Sequence, residues 1–125
     1  MVQGGLDAAI AAVTESGQPY ATETRTIDGV DFVVFSNAPV NLRELYRQGL
    51  QHADRVFFVY QDERFTYQEA WEEAARVGNQ LKHAGIKTGD RVGISLRNYP
   101  EWIFAFMGIT SIGAEIGRAS CMERV

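Results

Sequence analysis

Cysteine is nearly absent. Cys121 stands alone, so the chain cannot form an internal disulfide, and a reducing, cytoplasmic location is expected. Basic clusters are also missing. Twelve Lys and Arg stand against sixteen Asp and Glu, a formal net charge of −4, and no run of cations departs from that balance. Nucleic acid, whose phosphates need a basic patch, is therefore not an expected partner. There is no long apolar run. The longest, Trp102–Gly113, is too short for a membrane helix, which needs about 20 residues. The amino terminus lacks the basic cluster and continuous apolar segment of a secretory signal. Only two histidines occur, His52 and His83, and neither has Cys, His or paired carboxylates at metal-ligand spacing. Both read as charges at helix ends rather than as ligands or bases. No internal repeat or low-complexity segment is present.

What remains is ordinary globular material. Hydrophobic residues make up 46% and charged residues 22%, which argues against disorder. The length of 125 residues suits one small core. Leu6, Ala9, Ile10 and Val13 fall at helical spacing, and Gly17 with Pro19 stops that helix. It is expected to dock on a protein surface, because it lacks the cationic face of a membrane-surface helix. Tyr20–Ser36 predicts a hairpin, with Asp28-Gly29 supplying the positive φ angles of a tight turn. Asn41-Leu-Arg-Glu44 opens a second helix, Asn41 capping it and Glu44 reaching back.

Residues 55–114 alternate in type. Arg55–Tyr60 predicts a strand whose near-continuous apolar run suits burial on both faces. Thr66-x-x-Glu69 caps a long helix that ends at Gly85, and its small residues Ala70, Ala74 and Gly78 suggest close packing on a sheet. Ile86–Asp90 is a tight connection. It lacks the glycine-rich run and following helix of a phosphate loop. Arg91–Leu96 is the next strand. Asn98-Tyr99-Pro100-Glu101 reads as a further capping box, opening a helix apolar almost all round that stops at Gly113. Its aromatic cluster is read as core before ligand pocket. Strand, helix, strand, helix implies right-handed crossovers and a parallel or mixed sheet, with a third strand due soon after Gly113.

The order of these motifs resembles a known family. Phe65-Thr66-Tyr67-Gln68-Glu69-Ala70, Gly85-Ile-Lys-Thr-Gly-Asp-Arg-Val92, Asn98-Tyr-Pro-Glu-Trp102 and Ile109-Thr-Ser-Ile-Gly-Ala114 are similar to the amino-terminal part of class I adenylate-forming enzymes. That family includes the AMP-binding acyl-CoA synthetases and acid–CoA ligases. Val34-Phe35-Ser-Asn-Ala-Pro39 and Leu42-Arg-Glu-Leu45 resemble the lead-in of bacterial acid–CoA ligases. The resemblance implies an α/β fold. It would be the incomplete N-terminal part of the large domain, a helix and β-hairpin followed by β-α-β-α. For the parent it implies a ligase that activates a small carboxylic acid as an acyl-adenylate, then passes it to a thiol, with ATP, Mg2+ and CoA. The family's phosphate loop, aromatic-Thr-Glu motif, ribose aspartate and C-terminal lysine have no counterpart here. No catalytic, cofactor-binding or metal residue is therefore assigned, and the chain itself is expected to be inactive.

Residues 1–114 are expected to be the N-terminal portion of an AMP-binding domain, and 115–125 a non-native tail. Glu115, Arg118, Glu123 and Arg124 suit a buried strand poorly, and Glu115-Ile-Gly-Arg-Ala-Ser-Cys121 resembles translated sequencing adapter. The alternatives are a standalone small α/β binding or interaction module without catalysis and, more remotely, a nucleotide-binding domain of flavodoxin or Rossmann type. Against the last, Tyr60 is followed by Gln61-Asp62-Glu63 rather than a glycine-rich turn.

Overall fold

The computed structural model describes residues 3–118. They belong to two units, residues 1–40 and 41–125, each with its own contacts.

In the first unit α1 (Gln3–Thr14) precedes a hairpin of β1 (Thr22–Ile27) and β2 (Val30–Phe35). The two strands pair antiparallel from Thr22↔Phe35 to Ile27↔Val30, leaving Asp28 and Gly29 as the loop. Asp28 has φ 51° and Gly29 φ 81°, the pair of positive angles that matches the twist of the flanking strands. Thr26 Oγ1 donates to Asp31 Oδ1 at 2.6 Å across the hairpin's end. At the open end Ser36 closes on Ala21, its N–H and Oγ both donating to the Ala21 carbonyl at 2.8 and 2.9 Å. Leu6, Ile10 and Val13 are exposed, so this unit supplies no docking surface for the apolar side of α1.

The second unit begins with α2 (Leu42–Gly49), which continues as a 3-10 turn, Leu50–His52. Asn41 Oδ1 accepts from the Glu44 amide at 2.9 Å, as the sequence predicts. Glu44 does not reach back. Its carboxylate pairs with Arg47 one turn on, so only half of that capping box forms.

β3 (Val56–Tyr60) and β4 (Glu63–Thr66) follow as an antiparallel hairpin. This corrects two expectations. β3 is not buried on both faces, since Val56, Phe57 and Val59 are exposed, and its partner is β4 rather than a parallel strand. An apolar run reports hydrophobicity, but not which surfaces cover it.

α3 (Tyr67–His83) then runs against α4 (Pro100–Ser111). Thr66 and Glu69 form the complete reciprocal cap at the start of α3. At its end Gly85, φ 92°, donates to Lys82 O and Ile86 donates to Leu81 O, both at 3.0 Å. The buried side of α3, Ala70, Ala74 and Gly78, meets Phe104, Met107, Gly108 and Ile109 of α4. The small residues do mediate close packing, but on a helix and not on a sheet.

The start of α4 differs by one residue from the capping box read at Asn98. Tyr99 is the N-cap, with φ −102° and ψ 164°, and no side chain caps the helix. The cause is Pro100, whose ring disfavours helical angles at the residue before it. β5 (Arg91–Ile94) and β6 (Glu115–Arg118) pair in parallel from Arg91↔Glu115 to Ile94↔Arg118, with α4 as the crossover. The third strand thus arrives where helix α4 requires it, and one of the charges read as incompatible with it, Glu115, is accommodated. Glu115 is exposed and pairs with Arg91 at 3.4 Å, while Ala114 and Ile116 carry the inward contacts. A strand at a two-stranded edge has solvent on one side for its charged side chains. Residues 119–125, the rest of the expected tail, lie outside the described residues.

Candidate functional site

Two clefts flank the aromatic side of α4. Phe58 stacks on Phe65 with centroids 4.8 Å apart, and both pack against buried Phe104 at 5.9 and 5.4 Å. Of the α4 aromatics read as core, Phe104 is buried, while Trp102 and Phe106 are half-buried. On one side of the Phe58–Phe65–Phe104 triad Leu45, Tyr46, His52, Phe57, Tyr67 and Met107 line an apolar cleft of about 380 Å3. The 3-10 turn places His52 edge-on to Tyr67 at 6.3 Å, and Phe57 packs on the same ring at 4.7 Å. Gly49 makes room for that ring, because a Cβ there would sit 2.8 Å from Tyr67 Cδ1. Tyr46 donates to Thr110 Oγ1 at 3.0 Å, while Thr110 donates to the Phe106 carbonyl at 2.8 Å. This chain of bonds ties α2 to α4.

On the other side, Phe58, Tyr60, Tyr99, Pro100, Trp102 and Ile103 line a cleft of about 310 Å3. Tyr60 and Tyr99 meet edge to face at 5.7 Å. Partial burial, then Tyr99, Glu101 and Glu63, hold the Tyr60 hydroxyl above its ordinary value of 10.0. The sequence pointed to the aromatics of α4 but not to either cleft, because α2 and the β3–β4 hairpin form the opposing walls. Gln61-Asp62 carries no glycine, so nothing local announced that hairpin.

The chemistry available is limited. His83 is the last residue of α3, with Nδ1 2.8 Å from the Asn79 carbonyl one turn back, and it stands on a different element from His52. Among the described residues no three His, Cys, Asp or Glu side chains converge. The turn at Lys87–Asp90 is likewise no phosphate cradle. Its Lys87 amide donates to Asp90 Oδ2, Gly89 to the Gly113 carbonyl and Asp90 to the Lys87 carbonyl, leaving these amides occupied. The clefts can take apolar groups, or further protein.

The model of the family described as AMP-binding enzyme matches residues 45–116. The chain belongs to the AMP-binding enzyme family. The match runs from Leu45, within α2, through the first two residues of β6, and so takes in both clefts and the α3–α4 pair. Among curated proteins, acetyl-coenzyme A synthetase of Rhizobium rhizogenes is 39% identical over 70 residues, 51% of this chain and 11% of that enzyme. 4-coumarate–CoA ligase of Vanilla planifolia is 47% identical over 53 residues, 42% of this chain and 10% of that enzyme. The medium/long-chain-fatty-acid–CoA ligase FadD6 of Mycobacterium tuberculosis is 35% identical over 74 residues, 59% of this chain and 12% of that enzyme. Among solved structures, the anthranilate CoA ligase AuaEII bound to anthranoyl-AMP superposes with TM-score 0.60 and 30% identity, over 65% of this chain and 16% of that one. The N-terminal subdomain of Klebsiella oxytoca NpsA shares the fold, with TM-score 0.61 over 67% of this chain and 23% of that one, at 23% identity. The α/β fold of the chain is thus the fold of this part of the family. The chain spans about a tenth of the length of the curated relatives it matches.

Proposed function

We propose that the chain is an N-terminal part of an ATP-dependent acid–CoA ligase and has no ligase activity alone. The match of residues 45–116 to the AMP-binding enzyme family carries this reading, supported by relatives named as CoA synthetases and ligases. In the whole enzyme a carboxylate attacks the α-phosphate of ATP, giving acyl-adenylate and pyrophosphate. The thiol of CoA then takes the acyl group. Magnesium and cationic side chains stabilise the charge that develops in such steps. The role assigned to this chain is scaffold, with α4 packed against both α3 and β5. A cytoplasmic location goes with the same reading.

The test is carboxylate-dependent pyrophosphate release from ATP. The 125-residue chain is expected to give none, and the protein extended to the length of its relatives is expected to give it with some member of an acid panel. That panel should include acetate, 4-coumarate and fatty acids, which the relatives' names span. Release by the short chain, or none by the extended protein with any acid, counts against the proposal. The non-native reading of 115–125 has its own test, sequencing of the source locus. A native stop codon after Val125, with no ligase frame beyond, would sink it.

A further inference from the structure

A smaller cleft, about 80 Å3, lies where α3 meets the end of α4 and the first turn of α2. Arg43, Trp71, Asn79, Lys82 and Ser111 line it over a floor of small and aliphatic residues. Each of these five side chains carries an N–H or O–H donor. None of the lining residues is acidic, in a chain whose acids outnumber its bases sixteen to twelve. Ser111 Oγ is buried without a hydrogen-bond partner. Buried polar atoms are nearly always paired, so an unpaired one at a cleft points to a group that binds there. Among the described residues neither Arg43 nor Lys82 forms an ion pair, a property they share with Arg55, Arg64, Lys87 and Arg97; what sets the two apart is that they line one cleft.

Helix fields act here in both senses. Lys82 and Ser111 stand in the last turns of α3 and α4, where exposed carbonyls favour cations and repel anions. Those carbonyls are largely occupied. Leu81 and Lys82 accept from Ile86 and Gly85, and Ile109 and Thr110 accept from Ala114 and Gly113. Arg43 stands in the first turn of α2, whose field attracts anions. The bland reading, with Lys82 only a helix-end charge and a water on Ser111, leaves unexplained why Arg43 is brought to the same cleft.

We propose that this cleft binds a compact oxyanion of the phosphate class. Arg43 and Lys82 supply the charge, and Ser111 and Asn79 donate hydrogen bonds to its oxygens. The inference is independent of the ligase reading.

The test is thermal unfolding of the 125-residue chain with inorganic phosphate, against sodium chloride at equal ionic strength. In parallel, Trp71 emission is followed in a Trp102→Phe background. Phosphate is expected to raise the midpoint and change the emission saturably, in the millimolar range. Arg43→Gln and Lys82→Gln should each weaken that response about tenfold, the scale of one charge-assisted contact. Ser111→Ala should weaken it less, and Arg43→Lys should retain part of it. Methyl phosphate binding as tightly as phosphate assigns the cleft to the end of a phosphomonoester; weaker binding assigns it to the free anion. Equal responses to phosphate and chloride, an unchanged response in the Arg43→Gln/Lys82→Gln double variant, or no phosphate response in either measurement, overturns the proposal.

Discussion

Gly78 of α3 and Gly108 of α4 face each other across the helix crossing. A Cβ on Gly78 would lie 3.2 Å from the Gly108 carbonyl oxygen, and one on Gly108 would lie 2.8 Å from the Ala74 carbonyl oxygen. The two backbones approach closely because neither residue has a side chain. The buried patch of α3, α4 and the Phe58–Phe65–Phe104 triad depends on that approach.

The first prediction concerns this crossing. Alanine favours a helix interior over glycine by about 1 kcal/mol, so Gly108→Ala would stabilise the helix taken alone. Here the new methyl meets backbone at 2.8 Å and Val77 Cβ at 2.9 Å, neither of which can swing away. Overpacking of this kind costs about 1–3 kcal/mol, so net destabilisation is expected. Gly78→Ala should be milder, because its tightest neighbour is a side-chain methyl, Ile112 Cγ2, at 3.1 Å. Urea midpoints should rank wild type above Gly78→Ala above Gly108→Ala. A Gly108→Ala chain more stable than wild type would contradict the packing.

A second prediction follows from the cap of α3. The Glu69 carboxylate accepts from the Thr66 amide at 2.8 Å and the Thr66 hydroxyl at 3.0 Å. The backbone bond, then the hydroxyl bond, lowers its pKa from the ordinary 4.5. A carboxyl whose folded pKa is depressed stabilises the fold above its unfolded value and loses that contribution as pH falls through the folded one. Stability should therefore drop as pH falls below that ordinary value, and Glu69→Gln should flatten this part of the profile. Thr66→Ala removes the cap and should cost about 1 kcal/mol at neutral pH. Denaturation midpoints from pH 7 downward check both. An unchanged acid limb in Glu69→Gln would show that other carboxyls set it.

How much of this was legible beforehand depended on where the determining residues lie. Asp28-Gly29, Thr66 with Glu69, Gly85 and Gly113 act within a few residues of themselves, and each did what its local chemistry predicts. The β3–β4 pairing was missed because Gln61 adopts φ 51° without being glycine or asparagine, a conformation that pairing over-determines. The α4 cap was misplaced by one residue because Pro100 acts backwards on Tyr99, an effect stronger than the Asn98 side chain. β6 was discounted for its charges, although Glu115 needs only one open side of the strand. The family was legible from ordered motifs, yet those motifs turn out to be caps, stops and helix contacts. The clefts were not legible, since their walls come from α2, β3, α3 and α4 together.

The third prediction separates backbone strain from collision. Gly85 and Gly113 both end helices at positive φ, 92° and 79°. A Cβ on Gly85 meets nothing within 4 Å, whereas one on Gly113 would lie 2.9 Å from Thr88 Cγ2. Gly85→Ala should thus cost only the left-handed penalty, about 1–2 kcal/mol. Gly113→Ala should cost more, because Thr88 must also move, and its hydroxyl donates to the Ile112 carbonyl at 3.2 Å. Equal urea midpoints for the two variants would mean that the Thr88 contact carries no weight.

The last prediction concerns the apolar surface. Val59 of β3 and Leu96 after β5 are each 52% exposed, and Val33 of the first-unit hairpin is 74% exposed. Each hairpin is a two-stranded sheet with both strands at an edge, and such edges with exposed apolar side chains template association. The chain should therefore self-associate at micromolar concentration and unfold over a broad range. Val33→Lys and Val59→Lys place charge on these edges at sites already open to water, so they should reduce association without lowering the unfolding free energy read from urea titration by more than about 0.5 kcal/mol. Sedimentation velocity across a tenfold dilution reads the association, and calorimetry reads the breadth of unfolding. A monomer with one sharp, cooperative transition would instead mean that these surfaces are closed in solution. The standalone binding module would then become the better reading of the chain.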